Sequence, residues 1–222
     1  MRLALASIDG WRRLEHDAGV RLLTNTGGID TGSPTELDQL AREGAAAGVD
    51  MELLSAREAT TRFASAGGRP WFRFDGDVLF HAIASTVNAE QALIALRRLA
   101  TASGADLRPG DADHHLERLA DGVVVYHRSG RTRATTCLVT AGAWGGSSWI
   151  TDALDGEVVL PDLRVTQEQV GFFAFRDGPR SDQHFPTFVF REDQATYGLY
   201  TPTGLLKVGE HHTGAEIDPD HP

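Results

Sequence analysis

Between Leu3 and His16 the apolar residues Leu3, Ile8, Trp11 and Leu14 fall on one helical stripe, and Gly19 supplies a stop. The pattern predicts a short surface helix that begins at the first residues of the chain. The stretch Arg21 to Asp30 is rich in β-formers but carries Gly27 and Gly28, which predicts a strand with a bulge or a close backbone approach. Ser33, Pro34 and Glu36 together make a helix start, with Ser33 as the cap, Pro34 at the first helical position and Glu36 completing the capping box. That helix should run to about Ala47 and end at Gly48. Met51 to Leu54 predicts a strand, and Ser55 with Glu58 repeats the capping box for a brief helix towards Phe63. Trp71 to Phe74 and Val78 to Phe80 predict two strands around the turn residues Asp75, Gly76 and Asp77. Ile83, Val87, Leu93, Leu96 and Leu99 then sit at helical spacings, predicting the longest helix of the chain, closed by Gly104.

After Gly104 the rhythm shortens. Ala105 to Arg108, His115 to Leu119, Val123 to His127 and Thr132 to Thr140 are β-runs separated by turn pairs such as Asp121-Gly122 and Ser129-Gly130. The last run enters the small-residue turn Ala141, Gly142, Ala143, after which Trp144 to Ile150 can start a helix. From Leu163 onwards the runs Gln169 to Phe175, Phe188 to Arg191, Thr196 to Tyr200 and Leu205 to Glu210 are β in character. Interleaved helices and short strands with an antiparallel C-terminal third predict an α/β to α+β fold built on a mixed sheet.

Composition narrows the function classes. The chain has 222 residues, a net charge of −10 and one cysteine. It is long enough to bury a core without staples, and Cys137 has no partner for a disulfide. The negative charge opposes the counterion release that drives nucleic-acid binding, which argues against nucleic acid and against an anionic membrane as partners. No run approaches the roughly 18 to 20 apolar residues of a membrane span, and Arg12 and Arg13 come too early for a secretory leader. A cytoplasmic protein is the expectation.

Several residues could carry chemistry, each beside a plainer role. Thr135 to Gly146 (TTCLVTAGAWGG) is an apolar strand entering a small-residue turn. Such a turn either joins strand to helix or lets a cofactor approach the backbone, since a side chain there would block it. The chain has no G-x-G-x-x-G fingerprint. In Leu205 to His211 the strand period puts Lys207, Gly209 and His211 on one face and Leu206 and Val208 on the other. That face is either the solvent side of an antiparallel sheet or a platform whose gap at Gly209 admits a flat ligand. No metal-ligand spacing occurs despite His114-His115 and His211-His212, and Trp149 stands where a nucleophile elbow needs glycine. Cys137, among apolar strand residues, is expected to be a buried thiol. Most rings of Phe172, Phe173, Phe175, Phe185, Phe188 and Phe190 are expected in the core.

The order of motifs says more than any one of them. T-G-G-I (Thr26 to Ile29), D-G-D-V-L-F (Asp75 to Phe80), an Ala/Leu helix, G-A-D-L (Gly104 to Leu107) and T-A-G-A-W (Thr140 to Trp144) are followed by L-R-V-T-Q-E-Q-V-G-F-F (Leu163 to Phe173). Then come F-P-T-F (Phe185 to Phe188), Y-G-L-Y (Tyr197 to Tyr200), L-K-V-G-E-H (Leu206 to His211) and I-D-P-D (Ile217 to Asp220). This series resembles the flavin-dependent amine oxidases of the monomeric sarcosine oxidase and N-methyltryptophan oxidase type, within the D-amino-acid-oxidase-like group. The resemblance implies FAD as cofactor, a secondary amine or N-methyl amino acid as substrate, and dioxygen as oxidant with release of hydrogen peroxide. It implies that Lys207 sits over the flavin as the cation favouring reaction with dioxygen, that His211 lies close to the amine, that Tyr197 lines the substrate pocket, and that Ala141, Gly142, Ala143 and Trp144 form a turn contacting the cofactor.

Against the family pattern, the strand and G-x-G-x-x-G turn that hold the ADP half of FAD, the arginines for a substrate carboxylate and the cysteine that bonds the flavin have no counterpart. The chain is expected to be the middle half of a full-length member, with Met1 as a truncation point. Residues 20–80 and 160–222 are expected to form the substrate domain, and 1–19 with 81–159 an incomplete flavin-binding part. Two hypotheses follow: a truncated FAD-dependent amine oxidase, or a folded binding module without flavin.

Overall fold

The computed structural model describes residues 2–111, 115–154, 161, 163–175 and 185–218. Helix α1 (Arg2–Ala18) ends where Gly19 takes φ 63°. From its last turn the Glu15 carboxylate accepts the Leu22 and Leu23 N–H groups at 2.7 and 2.8 Å. Those bonds, first to Leu23 and then to Leu22, hold the carboxyl below the usual glutamate range.

The single strand expected over Arg21 to Asp30 is two. β1 (Leu23–Asn25) pairs with β5 (Ser85–Val87), whereas β2 (Gly28–Thr31) enters the main sheet. Gly27, at φ 69°, turns the chain between them, and a Cβ there would stand 2.7 Å from the Phe80 ring. Helix α2 (Pro34–Ala46) and helix α3 (Ala56–Arg62), on either side of β3 (Met51–Leu54), both begin at the predicted serines with complete capping boxes. β4 (Val78–His81) follows. The helix expected from Ile83 is α4 (Ala89–Ala102), begun by the Asn88 side chain. It starts later because Ser85 to Val87 are claimed by β1, and at 14 residues it is shorter than the 17 of α1. It buries Ala92 and Ala95 and leaves Leu93, Ile94 and Leu96 exposed.

The chain divides into two compact units, Met1–Ala105 with Glu168–Thr213, and Asp106–Gln167 with Gly214–Pro222. In the second, β6 (His115–Leu119), β7 (Gly122–His127) and β8 (Gly130–Ala134) form an antiparallel meander. Helix α5 (Ser148–Leu154) and the short pair β9 (Thr166–Gln167) and β14 (Ala215–Glu216) complete it. Ala105 to Arg108 and Thr135 to Thr140, expected as strands, lie outside every described strand. Leu138 is 85% exposed and Cys137 is exposed, which corrects the expected core thiol. An apolar run becomes a strand only where a neighbour takes its backbone hydrogen bonds, and Thr135 to Thr140 has none among the described strands.

In the first unit, β10 (Val170–Ala174), β11 (Thr187–Arg191), β12 (Ala195–Tyr200) and β13 (Leu205–Glu210) join β2, β3 and β4 in a seven-stranded sheet ordered β10-β13-β12-β11-β2-β4-β3. Every pairing is antiparallel except β2 with β11. The fold is thus mixed α/β, a mixed sheet with flanking helices. One face of the sheet is the core, where Ile29, Leu54, Val78 and Phe188 pack with Ala59, Phe63, Phe74 and Phe185. Trp71 to Phe74, expected as a strand, instead lays its rings on this face. Phe72 stands 5.1 to 5.9 Å from Phe185, Phe188 and Phe190. Large rings buried over a sheet dominate the energetics of such a core. Phe172 and Phe173, expected in the core, are more than half exposed.

Candidate active site

The opposite face of the sheet carries the predicted chemistry. Strand alternation puts Leu206 and Val208 against the core, so Lys207 and Gly209 face the other way. The register lines up Val170, Gly209, Tyr197, Val189, Asp30 and Leu79 in one row across the sheet. The next row on the same face is Phe172, Lys207 and Leu199. Tyr197 therefore lies beside Gly209, and a Cβ on that glycine would stand 2.8 Å from Tyr197 Oη. The gap expected to admit a ligand ring is filled by the tyrosine ring. Beyond the end of β13, His211 donates its backbone N–H to the Ala195 carbonyl at 2.8 Å. Its imidazole stacks on Tyr197 with ring centres 4.4 Å apart and planes 29° apart.

Tyr197, Lys207 and His211, separated by up to 14 positions in sequence, thus share one side of the sheet. Lys207 is half-buried and has no ion-pair partner among the described residues. A cavity of about 540 Å³ lies instead beside α2, lined by Pro34, Leu37, Ala41, Leu53, Leu79 and Asp77, and holds none of the three.

The same face contains a buried charge cluster that the sequence analysis missed. The Asp30 carboxylate accepts a hydrogen bond from Arg191 and stands 3.5 Å from His81 Nε2. Burial pushes the Asp30 carboxyl up, but the hydrogen bonds from His81 and Arg191 outweigh it and hold the group below the usual aspartate value. Gly28, opposite His81, leaves room for the imidazole, since a Cβ there would stand 2.6 Å from Nε2. The signal was present as a charged residue directly after buried Ile29 in a β-run, where only a paired charge can be half-buried.

Ala141 to Trp144 belong to the second compact unit. They open a 3₁₀ turn, Gly142–Gly146, in which Trp144 donates its N–H to the Ala141 carbonyl at 3.1 Å. Gly142 takes φ 58° with no atom within 4 Å of where its Cβ would stand, so the backbone is open to close approach there. His114 and the final Pro219 and Asp220 of I-D-P-D lie outside the described residues. Among the described residues no group of three or more His, Cys, Asp and Glu side chains could hold a metal, and no helix is long and apolar enough to cross a membrane.

A mixed sheet with flanking helices, one face of it bearing a lysine and a tyrosine with a histidine at its end, defines a mixed α/β protein. The profile of the FAD dependent oxidoreductase family, DAO, matches residues 1–222, and the chain belongs to that family. It is 26% identical over 223 residues to monomeric sarcosine oxidase from Bacillus sp. (strain NS-129), covering 98% of this chain and 55% of that one. To the monomeric sarcosine oxidase of Arthrobacter sp. (strain TE1826) it is 27% identical with the same coverage. In structure it is similar to L-proline dehydrogenase from P. horikoshii, with a TM-score of 0.76, 16% identity and coverage of 98% of this chain and 56% of that one. It is also similar to NikD, an amino acid oxidase, with a TM-score of 0.72, 21% identity and the same coverage. The chain spans about half the length of the curated relatives it matches.

Taken unit by unit, residues of the chain fit parts of the cofactor that the family implies. Half-buried Lys207 beside exposed Phe172 and half-buried Leu199 offers a cation next to apolar side chains, which suits a flat ring that gains negative charge. Left-handed Gly142 with open space above it suits close backbone approach. For the pyrophosphate the chain contains no G-x-G-x-x-G turn.

Proposed function

We propose that this chain is part of an FAD-dependent oxidase of the sarcosine oxidase type, which oxidises a secondary amine or N-methyl amino acid with dioxygen and releases hydrogen peroxide. The observation that supports the reading is that Tyr197 and Lys207 project from one face of the sheet while His211 stacks on Tyr197 at its end. When bound, FAD supplies the two-electron chemistry, accepting a hydride equivalent from the carbon next to the amine nitrogen and passing electrons to dioxygen. Lys207 supplies a fixed positive charge where the reduced cofactor meets dioxygen. His211 and Tyr197 orient the amine, the tyrosine ring forming a wall and the imidazole edge offering nitrogen atoms for hydrogen bonding. Ala141, Gly142, Ala143 and Trp144 contact the cofactor through a turn free of large side chains at Gly142. In this reading residues 20–80 and 160–222 carry the substrate side and residues 1–19 and 81–159 the flavin side, a division by role that cuts across the two compact units.

The test is direct. The purified chain, with FAD added, should turn yellow and produce peroxide from N-methyl amino acids; a chain that stays colourless is not an oxidase by itself. A second reading is a folded binding module without flavin. The same colour measurement decides between them.

A further inference from the structure

His212 is the one residue other than glycine with positive φ among the described residues, at 60°. Elsewhere that the described backbone turns left-handed, as at Gly19, Gly27, Gly48 and Gly104, the residue is glycine. A side chain in this region is strained, because Cβ crowds the following carbonyl. A sequence that uses glycine for every other such turn keeps a side chain at this one, and the side chain has a visible contact. The His212 ring lies 5.7 Å from that of His211 with planes 30° apart, close to the 29° between His211 and Tyr197. Tyr197, in turn, lies against the bare backbone of Gly209.

We infer that His212 is a positioning residue for His211: its left-handed backbone carries its ring onto the neighbouring imidazole and holds that imidazole in register with Tyr197. The contact of the His212 ring with His211 accounts for keeping a side chain at this strained position. His211 lies past the end of β13, on an exposed bend with no ladder hydrogen bond beyond its own N–H to Ala195. With Tyr197 on one side only, an exposed imidazole there can exchange among rotamers about its two side-chain torsions. Contact with a second ring restricts its plane. This inference rests on the reading of His211 as a group that meets the amine.

The experiment uses the 222-residue chain without flavin. Two-dimensional proton NMR measures the His211 ring signals and the cross-peaks between His211 and Tyr197. His212→Gly removes the ring and relieves the backbone, so the variant should melt no lower than wild type. Its His211 ring signals should nevertheless move towards their free-imidazole positions, and the cross-peaks to Tyr197 should weaken several-fold. His212→Asn, which tolerates the same backbone conformation, should do likewise. His212→Phe, which restores a flat ring without nitrogen, should recover the wild-type pattern. Unchanged His211 signals and cross-peaks in both ringless variants, or no recovery with phenylalanine, would overturn the proposal. Titrating sarcosine into the wild-type chain tests the amine pocket separately. Unperturbed His211 signals in that titration count against the pocket, and the ringless variants still decide the role of His212.

Discussion

The carboxylate of Asp30 and the guanidinium of Arg191 close on each other across β2 and β11, the one parallel pairing among the described strands of the large sheet. Their side chains are only 13% and 29% exposed. The pair ties segments 161 residues apart, and β11 leads by a short turn into β12, which carries Tyr197. Asp30→Asn leaves the arginine charge half-buried without its counter-ion. The expected loss is roughly 2–4 kcal/mol, measured by urea unfolding at neutral pH. Replacing both residues, as Asp30→Leu with Arg191→Met, should recover most of it; equal loss in the double variant would show that packing, not charge, is the cause.

The same carboxylate sets a pH dependence. Its folded-state pKa lies below the ordinary value of 3.8. The stability it contributes is therefore fully present above that ordinary value and is lost as pH falls towards the folded value. The stability difference between wild type and Asp30→Asn should shrink below roughly pH 4. A difference that stays unchanged on further acidification would contradict the assigned ion pair.

Gly198 lies against the Phe188 ring on the core face, where a Cβ would stand 2.2 Å from the ring edge. Gly198→Ala should cost about 1–3 kcal/mol by overpacking. Thermal melting measures it, and an unchanged melting temperature would mean that Phe188 has another resting place.

Cys137 is exposed. Its thiol should react with an aromatic disulfide reagent in native buffer to the same extent as in denaturant, one equivalent per chain. A thiol that reacts only after unfolding would restore the buried position expected from sequence.

Ser33 accepts the Glu36 N–H while the Glu36 carboxylate accepts the Ser33 N–H at 2.8 Å. Ser33→Ala should destabilise the protein by about 1 kcal/mol, read as a shift of the urea midpoint without a change of slope. No shift would mean that the start of α2 is held by packing.

Much of the local structure was legible. The two capping boxes, the stops at Gly19, Gly48 and Gly104 and the alternation of β13 all appear where the sequence places them, because each depends on residues within one or two turns. What failed depended on partners. Trp71 to Phe74 has strand composition but spends its rings on the core, and Thr135 to Thr140 has strand composition but no described neighbour. Ser85 to Val87 continues a helical stripe yet pairs with β1, a choice made by residues about 60 positions away.

The candidate site divides the same way. By itself the sequence determined that Lys207, Gly209 and His211 share a side, since a strand alternates with period two whatever surrounds it. Only the tertiary structure decided that Tyr197, from the neighbouring strand, fills the space over Gly209 and stacks on His211. Only the tertiary structure, too, brought Asp30, His81 and Arg191 together, because register between distant strands is set by which faces can be buried.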